Sequence, residues 1–165
     1  MGNLVVYFAL RSVRKSKKET RLTTYGTEAE RSDMTLPFVI PEKPLSGCRL
    51  ALVTTGGVHL PEDERFDIDD PAGDCSYREI PANAESLTWT HAYYRSKNTA
   101  DLDAVFPLWT LRRLVEEGEI GKLNHRHFSF MGAIHDHGPL VGETAPEVAG
   151  KLAEDGVDAV LLTPS

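Results

Sequence analysis

The chain has 165 residues, enough for one domain with a real core and too few for two ordinary ones. A content of 41% hydrophobic and 26% charged residues excludes a disordered or fibrous chain, and a net charge of -7 argues against broad contact with nucleic acid or anionic membrane. Its two cysteines, Cys48 and Cys75, are spaced for neither a C-x-x-C redox pair nor a zinc knuckle, which points to a reducing cytoplasm.

The first 43 residues read as a loosely attached N-terminal extension, and 44–165 as a single α/β domain. In the extension the apolar "NLVVYFAL" precedes the basic "RSVRKSKK", the wrong order for a secretory signal. No stretch reaches the roughly 18 apolar residues needed to span a bilayer. The basic run reads as solvated surface, or as an interaction arm.

From Pro44 onward the pattern sharpens. "CRLALVTT" over 48–55 predicts a buried strand, and the following "GG" a tight loop. A long acidic stretch, "HLPEDERFDIDDPAGDCSYREIPANAES", shows little helical or alternating period and reads as a loop of functional length. "FPLWTLRRLVEEGEIGKL" places Leu108, Leu111, Leu114 and Val115 on one face of a helix between Pro107 and Gly118. "RHFSFMGA" predicts a second strand. "TAPEVAGKLAEDG" predicts a second helix capped by Thr144 and closed by Gly156, and "VDAVLLT" a third strand. Strand, helix, strand, helix, strand implies a three-layer α/β fold whose mostly parallel sheet is joined by right-handed crossovers. Ligands then belong beyond the carboxyl ends of the strands.

Several groups have chemical potential there. Thr55, Gly56, Gly57 and His59 in "VTTGGVHL" form either a plain tight turn or a nest of amides for an anion; the spacing is neither a Rossmann nor a Walker motif. In "GDCSYREIP", Arg78 can hold a substrate carboxylate, pair with Glu79 or brace the loop. His125 and His127 would share one strand face and so allow a two-histidine metal site with hydrolase chemistry, although no helix pair or cysteine ligand supports it. Cys48 reads as a core residue and Cys75 as the one plausible reactive thiol, with Arg78 the only neighbour to lower its pKa.

"KPLSGCRLALVTTGGVHL", "FDIDDPAGDCSYREIP", "FPLWTLRRLVEEGEIG", "HFSFMG" and "DGVDAVLLTP" occur in order from Pro44 to the last residue. Together they resemble the selenoprotein B family of glycine, sarcosine and betaine reductases, which includes the selenocysteine subunit of D-proline reductase. The resemblance implies reductive cleavage of a carbon–nitrogen bond with a dithiol as electron source. A selenolate or thiolate would attack the α-carbon of a small amine or amino acid captured by a pyruvoyl group on a partner subunit. It implies a homo- or hetero-oligomer, with no cofactor bound by this chain itself. The matching pocket or support positions are Thr55, Gly56, Gly57, His59, Ser76, Tyr77, Arg78, Glu79, His91, Tyr94 and Thr163, none with an assigned catalytic role. The family's Sec or Cys follows the "LLTP" strand directly, which here places it just past Ser165. The expectation is thus of a selenoprotein cut at a UGA codon and inactive in this form; a naturally short paralogue is the alternative. A non-catalytic binding or regulatory module of the same fold is the competing function.

Overall fold

The computed structural model describes residues 43–92 and 101–164, so the expected extension, all but Lys43, lies outside the described residues. β1 (Arg49–Thr54) is the centre of a mostly parallel sheet. It pairs in parallel with β7 (Ala159–Thr163) along one edge, and with β5 (Lys122–Leu123) and β6 (Arg126–Phe130) along the other. Its residues are apolar on both faces because both faces are covered, as parallel strands require. Leu50 and Leu52 pack with Leu108 and Leu111 of α2 (Leu108–Glu116), which follows the short α1 (Leu102–Val105). Ala51 packs on the opposite side with Val148 and Leu152 of α3 (Ala145–Glu154). The three layers expected from the sequence are therefore present.

The helix boundaries follow from local chemistry. Pro107 precedes α2, and Gly118 and Gly156 take positive φ (79° and 67°) just past α2 and α3, where a side chain would be strained. Thr144 departs from expectation. It lies in a π turn, Leu140–Thr144, with helical backbone and no side-chain cap bond, because the chain enters α3 already coiled.

The long loop also needs correction. It contains β3 (Tyr77–Pro81), antiparallel to β6 with Tyr77 opposite Phe130 and Pro81 opposite Arg126, and the sheet order runs β3, β6, β1, β7. A separate antiparallel pair joins β2 (Val58–His59) to β4 (Thr88–Trp89). "YREIP" hides its strand character because both of its faces carry polar side chains, which find partners only in the fold.

Between β5 and β6 the register against β1 slips by two residues: Leu50 faces Leu123, whereas Val53 faces Phe128. The gap is closed by a side chain. Leu52 N–H donates to Nδ1 of the buried His127 at 3.0 Å, so an imidazole replaces a missing ladder carbonyl.

β7 pairs with β1 alone among the described residues, and its outer edge carries none of the lysines, prolines or bulges that usually blunt an edge. Residues 1–165 in isolation are expected to self-associate in light scattering at high concentration; a stable monomer would contradict this.

Candidate functional site

The parallel strands β1, β6 and β7 end on the same side of the sheet, and the predicted site residues of the first loop are there. Gly56 N–H donates to Thr54 Oγ1 (3.0 Å) and Gly57 N–H to the Phe130 carbonyl (2.8 Å). Both glycines are buried. Neither amide is left for an anion, so the tight-turn reading holds and the amide nest does not. The two residues are glycine for lack of room: a Cβ would lie 2.2 Å from Val105 Cγ1 at Gly56 and 2.0 Å from the Thr90 carbonyl oxygen at Gly57. Thr163, last in β7, is joined to this turn. Its carbonyl accepts from Thr55 N–H (3.2 Å) and from Thr54 Oγ1 (2.9 Å).

His59 is buried behind the turn. Its Nδ1–H donates to the Leu60 carbonyl (2.7 Å), and in the neutral ring Nε2 then accepts from Thr90 Oγ1 (2.9 Å). His91 is buried as well, and burial pushes its pKa down. Tyr94 lies outside the described residues.

The second loop is divided by strand alternation. Ser76 and Arg78 point one way. Arg78 lies 4.3 Å over the Phe66 ring and donates Nε–H to the Glu64 carbonyl (2.7 Å), Nη2–H to the Arg65 carbonyl (3.2 Å), and Nη1–H to Ser76 Oγ (2.8 Å) and the Tyr77 carbonyl (3.1 Å). Of the three sequence readings, loop brace is the one the geometry supports; the Arg78–Glu79 pair is absent because the two side chains are on opposite faces. Ser76 in turn donates to Asp74 Oδ1.

Tyr77 and Glu79 point the other way, toward α3. Tyr77 O–H donates to Glu147 Oε1 (2.6 Å), and its ring packs edge-on to Phe128. Glu79 accepts from Lys151 (2.6 Å) and Arg126 (3.3 Å). Burial works to raise the Glu79 pKa; the two cations overcome this and hold it below the usual value.

Cys75 is half-buried where loop 72–76 meets loop 133–137. Gly73, at φ 85°, allows that approach, since a Cβ would lie 2.5 Å from the Ala133 carbonyl. Burial raises the thiol's pKa, and the nearby Asp136, Asp74 and Asp70 raise it further. Arg78 lends no help, being held toward Phe66. Cys48 is fully buried in the core.

The paired-histidine idea fails on geometry. β6 begins at Arg126, so His125 is outside the strand and exposed, while His127 is wholly buried against Phe106. Among the described residues no group of three or more His, Cys, Asp or Glu could hold a metal.

Residues that the sequence reading passed over prove central. Arg126 binds Asp155 through two parallel bonds (2.8 and 2.9 Å), and Asn124 adds a third at 2.8 Å. Thr54, not Thr55, supplies the hydroxyl that links the ends of β1 and β7. Neither carries a motif, since the partners are 29 and 109 residues apart.

Comparison with known sequences decides the ancestry. Residues 17–165 match the family model for glycine/sarcosine/betaine reductase selenoprotein B. The chain belongs to that family. The match begins upstream of Pro44, where the recognisable motifs start, and so takes in part of the expected extension. Over 124 residues this selenoprotein B-family chain is 40% identical to D-proline reductase subunit gamma of Acetoanaerobium sticklandii, covering 73% of the chain and 50% of that relative. It is 32% identical over 160 residues to glycine reductase complex component B subunit gamma of Symbiobacterium thermophilum, covering 92% of the chain and 35% of the relative. To sarcosine reductase complex component B subunit beta of Peptoclostridium acidaminophilum the identity is 33% over 135 residues, covering 73% and 29%. The chain thus spans half or less of the length of these relatives, each named as a reductase subunit. No solved structure matches. No helix among the described residues is long and apolar enough to cross a membrane.

The selenoprotein B domain should lose stability in acid in two stages. Burial, then the positive charge of Arg112, holds His127 at a pKa of about 4, against roughly 6.5 in an unfolded chain. The unfolded state therefore binds the extra proton first, and this contribution, with a smaller one of the same sign from His91, is lost as pH falls from about 6.5 to 4. Hydrogen bonds from Arg126 hold Asp155 at about 2, so its contribution is complete above about 4 and is lost as pH falls toward 2. Thermal midpoints measured from pH 7 to 2 are expected to fall through both windows, and His127→Gln to flatten the upper one. An unchanged profile in that variant would contradict the assignment.

Proposed function

We propose that this chain is the sheet-bearing part of a selenoprotein B-type reductase subunit that cleaves a carbon–nitrogen bond of glycine, sarcosine, betaine, D-proline or a related amine. The reading rests on the family match together with one observation: Thr163, after which the resemblance places the Sec or Cys, is at the carboxyl end of a strand paired along its length with the central β1. That end is where α/β sheets hold their chemistry.

The selenolate or thiolate following Ser165 attacks the substrate α-carbon, and the C–N bond breaks as the new carbon–chalcogen bond forms, the amine leaving with a proton. One thiol of a dithiol then attacks the chalcogen, the carbon departs with the bonding pair and takes up a proton, and the second thiol closes the disulfide and releases the selenolate or thiolate again. Selenol suits the attack because it ionises at neutral pH and stays strongly nucleophilic. A pyruvoyl group on a partner subunit would supply carbonyl chemistry to hold those substrates that carry an N–H, which betaine lacks, and that subunit would make the working enzyme a hetero-oligomer in a reducing cytoplasm. The side chains described above form the frame: Ser76 and Arg78 hold one loop, Tyr77 and Glu79 lock β3 to α3, and His59 anchors the turn.

The second reading is a non-catalytic binding or regulatory module of the same fold; the engagement of these polar groups in internal bonds gives them a structural role and favours its non-catalytic part. Turnover separates the two. The full-length subunit, assembled with its partners and dithiothreitol, is expected to release amine or open the ring of at least one of the four substrates. Binding of these amines without any dithiol-dependent turnover would support the module instead.

A further inference from the structure

Ser129, Thr54 and Thr163 are register neighbours on β6, β1 and β7, so their side chains form a row on one face at the carboxyl end of the sheet. The hydroxyls of Ser129 and Thr163 are buried and lack a hydrogen-bond partner among the described residues. Thr54, only 1% exposed, is different. Its Oγ1 accepts from Gly56 N–H and is within donor reach of two carbonyls, Thr163 at 2.9 Å and Val105 at 3.2 Å. One hydroxyl thus ties the glycine turn, the end of α1 and the end of β7 together.

The Thr163 carbonyl is a sensitive place to hold. Peptide planarity fixes the nitrogen of Pro164 once that oxygen is fixed, and the proline ring then sets its own φ near -65°. Little backbone freedom remains before whatever follows. We propose that Thr54 is a positioning residue for the reductase reaction, whose hydroxyl aims the segment leaving β7 and hence the nucleophile at the substrate. This inference rests on the function proposed above.

The test uses the full-length subunit in its assembled reductase, with Thr54→Ser, Thr54→Ala, Thr54→Val and, as a row control, Ser129→Ala. Serine and alanine differ by the hydroxyl alone. The alanine and valine variants are expected to lose about 10²-fold in kcat, the scale of a misplacement near 1 Å, with KM within about threefold of the parent. Serine and the Ser129→Ala control should both stay within about threefold of the parent in kcat. Equal kcat in Thr54→Ser and Thr54→Ala overturns the proposal. So does a loss confined to KM. If both hydroxyl-free variants fail to fold, Thr54 is a stability residue and the proposal is likewise overturned. An unmodified enzyme with no dithiol-dependent turnover defeats the functional reading itself and this inference with it.

Discussion

Gly57→Ala is expected to destabilise the domain by about 3 kcal/mol or more, against about 1–2 kcal/mol for Gly118→Ala. Both glycines have positive φ, 64° and 79°. The difference is space. A Cβ at Gly118 meets nothing within 4 Å, whereas at Gly57 it would lie 2.0 Å from the Thr90 backbone oxygen. That oxygen cannot retreat cheaply, because Thr90 N–H is bonded to the Gly57 carbonyl and Thr90 Oγ1 to His59. Strain at Gly57 would therefore spread to the β6 end through its bond to Phe130. Urea denaturation of the two variants checks this, and equal losses would show that conformation, not contact, decides the cost.

The largest functional effect should come from the Sec or Cys proposed to follow Ser165. Replacing that Sec or Cys by serine in the full-length subunit is expected to lower dithiol-dependent turnover about a thousandfold or more, since an alcohol is not ionised at neutral pH and the attack has no substitute nucleophile. Cys75→Ser should change turnover by less than about threefold. Its thiol is surrounded by Asp70, Asp74 and Asp136, which disfavour the thiolate. Comparable losses in both variants would move the nucleophile into the described domain and contradict the assignment.

The parts of the fold that could be read from the sequence are those whose information is local. "CRLALVTT" and "VDAVLLT" are mostly apolar on both strand faces, "RHFSF" carries Phe128 and Phe130 on one, and the α2 segment repeats its leucines at helical spacing between Pro107 and Gly118. β3 was hidden because Tyr77, Arg78 and Glu79 are polar on both faces, with partners in α3 and in the loop around Phe66. The register slip between β5 and β6 was equally hidden, since no sequence pattern says that His127 will act as a ladder acceptor.

The candidate site shows the same division. The resemblance placed Gly56, Gly57 and Thr163 at a strand end, and they are brought together there. It could not say that the glycine amides and most of Arg78's donors would be engaged within the domain. Thr54 went unnoticed beside Thr55 because its role depends on a carbonyl 109 residues away. Distant pairing of this kind belongs to the folded sheet.

The central claim is that a chalcogen nucleophile continues from β7. The most direct measurement is the identity of the residue after Ser165 in the full-length polypeptide, read from the gene triplet that follows the Ser165 codon and from the mass of the corresponding peptide. The account predicts UGA decoded as selenocysteine, or a cysteine codon, with the family's sequence continuing downstream. An ordinary stop other than UGA with no matching frame beyond it, or a continuing chain with neither Sec nor Cys at that place, would contradict it.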